Sequence, residues 1–166
     1  MEKIIILNVK NAECNYDANL IKELDPDGEH KKSFEFQRSN VSGHFTGGKL
    51  GVYFYTIQPG KTNYPYHYHT GNEEVFYITS GQGTLRTPEG DKIVSEGDVI
   101  VMPANENGAH QLINTSDTPL VYLEVITQTR PDVTILPDSE KLVVFTEKIF
   151  AKAFKTNSAV NYLTDE

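Results

Sequence analysis

His67 and His69 stand two residues apart in the stretch Pro65-Tyr66-His67-Tyr68-His69-Thr70-Gly71-Asn72-Glu73-Glu74-Val75-Phe76-Tyr77-Ile78. On an extended backbone, side chains two apart leave the same face, close enough for both imidazoles to grip one ion. Glu74 follows at the head of an apolar run, with Glu73 beside it as a competitor, and His110 arrives much later in Ala109-His110-Gln111-Leu112-Ile113-Asn114. Three neutral imidazoles and one carboxylate make a mixed nitrogen and oxygen site for a first-row divalent metal, with positions left over if the ion is six-coordinate. No thiolate is among the candidates, so manganese, iron, cobalt, nickel, copper and zinc all suit the set.

Such a site serves Lewis-acid chemistry, as in isomerisation or carbon–oxygen cleavage, and oxidative chemistry at iron or copper. The groups beside it that could move a proton are Glu73 and Tyr66. Arg86 could hold a substrate anion, although on an alternating strand an arginine is first of all a surface residue. Asn114 shares the parity of His110 and fits a hydrogen bond behind the ligands or in a turn.

The elements that must position these residues are short and β-rich. Runs at Val52 to Ile57, Val75 to Thr79, Gly83 to Thr87, Lys92 to Val94, Val99 to Met102, His110 to Asn114 and Leu120 to Ile126 are separated by Ser80-Gly81, Pro88-Glu89-Gly90-Asp91, Ser95-Glu96-Gly97-Asp98 and Ser116-Asp117-Thr118-Pro119. Strands at this even spacing indicate an all-β antiparallel sandwich or barrel, and the absence of a crossover helix between Leu50 and Ile126 excludes a parallel α/β sheet. If Glu74 points inward, Phe76 and Ile78 do too, while Val75 and Tyr77 face the other layer.

The two histidine-bearing stretches resemble the cupin superfamily. Its first motif is read from Gly60 through His67, His69 and Glu74 to Gly81, and its second from Gly97 through Pro103 and Gly108 to His110 and Asn114. The six residues between Glu74 and Gly81 fit the motif and select Glu74 over Glu73. One extra residue precedes His67, and the turn from Pro103 to His110 is two residues longer than the pattern. Both additions fall in turns, where insertions are tolerated. The resemblance implies a cupin jelly-roll, a double-stranded β-helix barrel, over residues 50–145, with metal ligands His67, His69, Glu74 and His110. It also implies a homodimer, with the segment before the barrel reaching over the partner. Cupins include isomerases, decarboxylases, oxygenases, storage proteins and regulators, so the fold leaves the reaction open.

Residues 1–49 read as an N-terminal arm with the first strands. Within it, Ile4 to Val9 has strand propensity, Asp25-Pro26-Asp27-Gly28 is a turn signal, and Phe34-Glu35-Phe36-Gln37 alternates. His30 and His44 lie in polar or glycine-rich surroundings and read as solvent-facing. After a possible edge strand at Val133 to Leu136 and the run Leu142 to Phe145, residues 146–166 read as a short C-terminal helix and tail. Thr146 would cap that helix, and Ile149, Phe150, Ala153 and Phe154 would share its buried face.

A chain of 166 residues, 38% hydrophobic, supports one well-buried domain. With 15 basic against 23 acidic residues, a net charge of -8, nothing tracks a phosphate backbone, so nucleic acid is not an expected partner. Membrane-surface binding lacks its basic patch, and no apolar run approaches a membrane span. The single cysteine, Cys14, excludes an internal disulfide and suits a reducing, cytoplasmic compartment. Two functions fit: a small-molecule metalloenzyme acting on an oxygen-rich substrate, and a non-catalytic binding or sensor protein in which the metal anchors a ligand.

Overall fold

The computed structural model describes residues 6, 8, 24, 25, 27, 28, 34–41 and 48–163. Of the expected strand at residues 4–9 only residues 6 and 8 are described, and His30 and His44 lie outside the described residues. Twelve strands follow in chain order: β1 (Phe36–Asn40), β2 (Leu50–Ile57), β3 (Tyr68–His69), β4 (Glu74–Ser80), β5 (Gln82–Thr87), β6 (Gly90–Ser95), β7 (Val99–Met102), β8 (Gln111–Ile113), β9 (Leu120–Thr127), β10 (Asp132–Leu136), β11 (Lys141–Phe145) and β12 (Lys152–Lys155). They form three sheets, ordered β1-β2-β9-β4-β7, β12-β11-β10-β3 and β6-β5-β8, and every pairing within them is antiparallel.

Alternation sets the inner face of the five-stranded sheet. Glu74, Phe76 and Ile78 of β4 are buried, whereas Tyr77 is exposed, as the parity of the strand predicts. Tyr55 and Ile57 of β2 and Leu120 and Tyr122 of β9 face the same interior. Register places Tyr55, Tyr122 and Ile78 in one row across β2, β9 and β4. The Tyr55 and Tyr122 rings stack with centroids 5.0 Å apart, and Phe76 tilts against Tyr122 at 4.7 Å. Aromatic pairs at these separations add roughly 0.5–1.5 kcal/mol each beyond the apolar area they bury. This rigid layer is the floor on which Glu74 stands.

Two expectations are corrected. The first is the closed jelly-roll, or double-stranded β-helix, barrel: none of the three sheets closes on itself. The sheets meet instead through isolated bridges, Thr62 to Ile113 and His67 to His110. Pro65 has no N–H to donate, and the chain bends at Gly71, so the histidine strand β3 is only two residues long and cannot carry a continuous ladder.

The second is the C-terminal helix. No helix of seven residues or more occurs among the described residues. Thr146 does act as a cap, its Oγ1 accepting from the N–H groups of Lys148 and Ile149, but the turn it closes stops there. Ala151 takes a left-handed φ of 51°, and the chain then pairs as β12 on β11, with Leu142 opposite Phe154 and Val143 opposite Ala153. The backbone of β11 offers a ladder that the local helical pattern could not outcompete. The apolar residues expected on one helical face are distributed over a turn and an edge strand.

Candidate metal centre

His67 and His110 face each other across an isolated antiparallel bridge. The His67 N–H donates to the His110 carbonyl at 3.0 Å, and the His110 N–H returns to the His67 carbonyl at 2.8 Å. Their ring centroids are 4.7 Å apart. Each ring is oriented by the backbone two residues upstream: His67 Nδ1 donates to the Pro65 carbonyl at 2.8 Å, and His110 Nδ1 to the Gly108 carbonyl at 2.9 Å. A carbonyl can only accept, so each Nδ1 carries the proton and each Nε2 is a bare lone pair.

His69 is held differently. Its Nδ1 lies 2.5 Å from Asp132 Oδ2 and 3.1 Å from Thr134 Oγ1, both on β10, which pairs with β3. The other Asp132 oxygen accepts from the Gly71 N–H at 2.9 Å, which fixes the carboxylate as well. Nε2 of His69 is 3.8 Å from Glu74 Oε2, and Nε2 of His110 is 3.5 Å from the same oxygen. His67, His69 and Glu74 each offer a ligand atom within 4.8 Å of the others, a buried cluster that could hold a metal ion.

Electrostatics follow from burial. Desolvation pushes His67 well below the usual imidazole value, helped by the charges His110 and His69 would carry, and it lowers His110 to about 4. Both are therefore neutral at ordinary pH, the form that ligates a metal. Burial would lower His69 too, but the Asp132 hydrogen bond and the charges of Glu74 and Asp132 outweigh it and hold His69 above the usual value. Burial opposes ionisation of Asp132, yet its hydrogen bond to His69 keeps it below the usual carboxylate range. Burial raises Glu74, and His69 offsets part of that rise.

Residues 53–126 match the family description Cupin domain. The chain carries a cupin domain. A sugar phosphate isomerase of the cupin superfamily from Silicibacter pomeroyi is 21% identical, with a TM-score of 0.75 over 93% of this chain and 95% of that one. A candidate sugar phosphate isomerase from Acidithiobacillus ferrooxidans is 24% identical, with a TM-score of 0.67 over 75% of this chain and 80% of that one. A candidate oxalate decarboxylase from Thermotoga maritima is 26% identical, with a TM-score of 0.51 over 57% of this chain and 81% of that one. No curated protein matches the sequence. The first two likenesses are likenesses of fold.

Around this cluster, the other residues that the sequence singles out part company. Glu73 is exposed, and its backbone is tied to Thr127. Tyr66 lies under the Arg86 guanidinium, 4.0 Å from ring centroid to Cζ, and Arg86 makes a bidentate pair with Asp138 at 2.5 and 2.9 Å. Asn114 is fully buried and donates to the carbonyls of Ile57 and Thr118, closing the turn after β8. Gln111 donates to the Tyr64 carbonyl.

Sequence reasoning missed Asp132 and Glu124. Nothing local marks Asp132, which meets His69 from 63 residues away. Glu124 had a signal: it shares the inward parity of Leu120 and Tyr122, where a carboxylate is out of place unless it has work. Burial and its neighbour Glu74 push Glu124 well above the usual carboxylate value, with a hydrogen bond from Tyr55 partly offsetting them. Burial thus opposes ionisation of both carboxyls, Glu74 and Glu124.

Proposed function

We propose that His67, His69, Glu74 and His110 together hold one divalent transition-metal ion, and that the protein is a small-molecule metalloenzyme of isomerase, lyase or dioxygenase type acting on an oxygen-rich substrate. The observation that carries this reading is the disposition of lone pairs. All three imidazoles have Nδ1 engaged elsewhere, and two Nε2 atoms lie within 3.8 Å of Glu74 Oε2. Unmet nitrogen donors around a buried carboxylate fit a first-row divalent ion, manganese, iron, cobalt, nickel, copper or zinc.

Such an ion would polarise a substrate oxygen or, as iron or copper, supply redox chemistry. The chain's own residues do the rest. The Pro65 and Gly108 carbonyls and Asp132 fix the three rings, so no ligand has to reorganise on binding. Phe76 packs edge-on against His110 at 5.3 Å and walls the cluster with apolar surface. Tyr55 and Tyr64, their hydroxyls 3.1 Å apart, supply polar groups on the same side as Glu124. Since Glu73 is exposed and Tyr66 is engaged by Arg86, proton movement at the site falls to these buried groups.

Because proteins of similar fold include sugar phosphate isomerases, hydroxyaldehyde and hydroxyketone phosphates head the substrate panel, followed by keto acids and dihydroxylated aromatics. Protein loaded with each metal in turn is incubated with the panel and followed by NMR. Conversion that requires the metal and vanishes in His67→Ala supports the enzyme. Metal-dependent binding without conversion across the panel would favour the sensor reading instead.

No helix of the described residues is long and apolar enough to cross a membrane. We assign the protein to the cytoplasm on the strength of its lone Cys14, and to a homodimer. Val99, Val101 and Tyr77 leave an apolar outer face beside the edge strand β7. A monomeric mass by light scattering would remove the dimer.

A further inference from the structure

Arg86 is half-exposed on β5, next to Leu85, which is buried in the core. Across the ladder to β8 it stands opposite Gln111. Both side chains reach to the segment that leads into His67. The Gln111 amide donates to the Tyr64 carbonyl at 3.0 Å, and the Arg86 guanidinium covers the Tyr66 ring, its Cζ 4.0 Å from the centroid. The same guanidinium makes its bidentate pair, at 2.5 and 2.9 Å, with Asp138 in the turn Pro137–Ser139 between β10 and β11. One side chain thus joins the three-stranded sheet, the histidine segment and the four-stranded sheet.

His67 needs such a link. The ladder between β10 and β3 pairs Thr134 with His69 and Ile135 with Tyr68, and it ends there. The backbone of His67 turns instead to His110, through an isolated bridge with no ladder beside it to resist opening. Upstream, Pro65 has no N–H with which to extend the pairing. An exposed ion pair alone adds little. A planar guanidinium that grips a carboxylate with both prongs and stacks on a ring is preorganised for both contacts and adds more.

We propose that Arg86 is a positioning residue for the metal centre: clamped by Asp138 over the Tyr66 ring, it holds the bridge between His67 and His110 shut and keeps these two imidazoles together. The inference rests on the metal reading above. It gives a task to an arginine that its alternating strand would make an ordinary surface residue. The anion it holds belongs to this chain.

Two readouts test it, one of them without metal. Amide hydrogen exchange at His67 and His110 in the metal-free protein reports opening of the bridge, with Tyr55 and Tyr122 of the five-stranded sheet as internal references. Cobalt(II) alone, followed by calorimetric titration and by its visible absorption bands, reports the ligand geometry. Arg86→Leu should speed exchange at His67 and His110 by about 5- to 20-fold and leave the reference amides unchanged. It should also weaken cobalt binding by about 3- to 10-fold, with altered bands. Arg86→Lys keeps the charge without the fork and should recover only part of the loss. Tyr66→Phe should behave as wild type, because the ring and not the hydroxyl carries the contact. Lys92→Ala, which breaks the exposed Lys92–Glu89 pair at the end of the same hairpin, should change neither readout.

Wild-type exchange and bands in Arg86→Leu would overturn the inference. Acceleration that reaches Tyr55 and Tyr122 equally would overturn it too, since Arg86 would then support the fold at large. So would an equal loss in Lys92→Ala. Should Arg86→Leu fail to fold, Asp138→Ala, in an exposed turn, carries the test, and unchanged exchange and bands there would overturn the inference equally. Absence of cobalt binding by wild type would instead overturn the metal reading, and with it the role given to Arg86 at that centre.

Discussion

His67 and His110 are held by their own backbone, whereas His69 is held by a carboxylate from a distant strand. The first two rings donate to carbonyls two residues upstream, with no charge involved, and burial leaves both neutral. The third donates to Asp132, 63 residues later, and gains a proton-stabilising partner. Neighbouring imidazoles in one cluster are thus oriented by two kinds of support. One is encoded within a few residues and tolerates no change of loop path. The other exists only once β10 has paired with the distant β3 inside the four-stranded sheet, and in the proposed centre it would tie metal affinity to pH.

The local support should break hardest. A Cβ on Gly108 would stand 2.1 Å from the Pro103 carbonyl oxygen, a backbone atom that cannot swing away. Gly108→Ala is expected to cost about 3 kcal/mol by chemical denaturation, because the turn that presents the His110 anchor has to move. A stability loss below about 0.5 kcal/mol would mean that the turn yields freely and that the local anchor is soft.

Removing the remote support comes next. Asp132→Ala leaves the His69 ring without its carboxylate and should weaken metal binding by about 10- to 100-fold while the fold persists. Thr134→Val, which takes away only the 3.1 Å hydroxyl contact to the same nitrogen, should stay within about 3-fold. If the two variants weaken binding equally, the carboxylate is not the principal anchor of His69.

Acid separates the two supports without mutation. In the metal-free protein His69 should titrate above about 6.5, the unperturbed histidine value, while His67 and His110 stay neutral well below it, His110 down to about 4. The raised group adds stability that is complete below about pH 6.5 and lost as pH rises through its folded value. The lowered pair acts oppositely. Stability falls as pH drops below about 6.5, where the unfolded chain takes up protons that the folded rings refuse. Metal affinity should begin to fall with acid already above about pH 6.5, where His69 first holds its competing proton. Ring-proton NMR titration checks this order, and His69 titrating last would reverse the comparison.

The same divide explains what could be read from the chain. The pair His67 and His69 and the parity of Glu74 were legible because a strand repeats every two residues, and Phe76 and Ile78 followed Glu74 inward. The carbonyl anchors lie within the same short stretches as their rings. Asp132 was not legible, since its meeting with His69 depends on β10 pairing with a two-residue strand. Glu124 was legible only as an anomaly of parity on β9.

Where local pattern met tertiary pairing, pairing won. Thr146 and the apolar spacing after it suit a helix, but the ladder to β11 draws residues 152–155 into a strand. Likewise the cupin resemblance implied a closed barrel, while the brevity of β3 leaves three sheets joined through bridges. Closure depends on continuous ladders, which neither composition nor spacing measures.

The proposed centre holds one divalent metal ion on His67, His69, Glu74 and His110. Element-resolved mass spectrometry on untagged protein purified without chelators, beside a His67→Ala, His110→Ala double variant, tests it most directly. About one equivalent of a first-row divalent metal in wild type, absent from a folded double variant, is the expected result. No metal in wild type, with none acquired on titration with manganese, iron, cobalt, nickel, copper or zinc, would contradict the account.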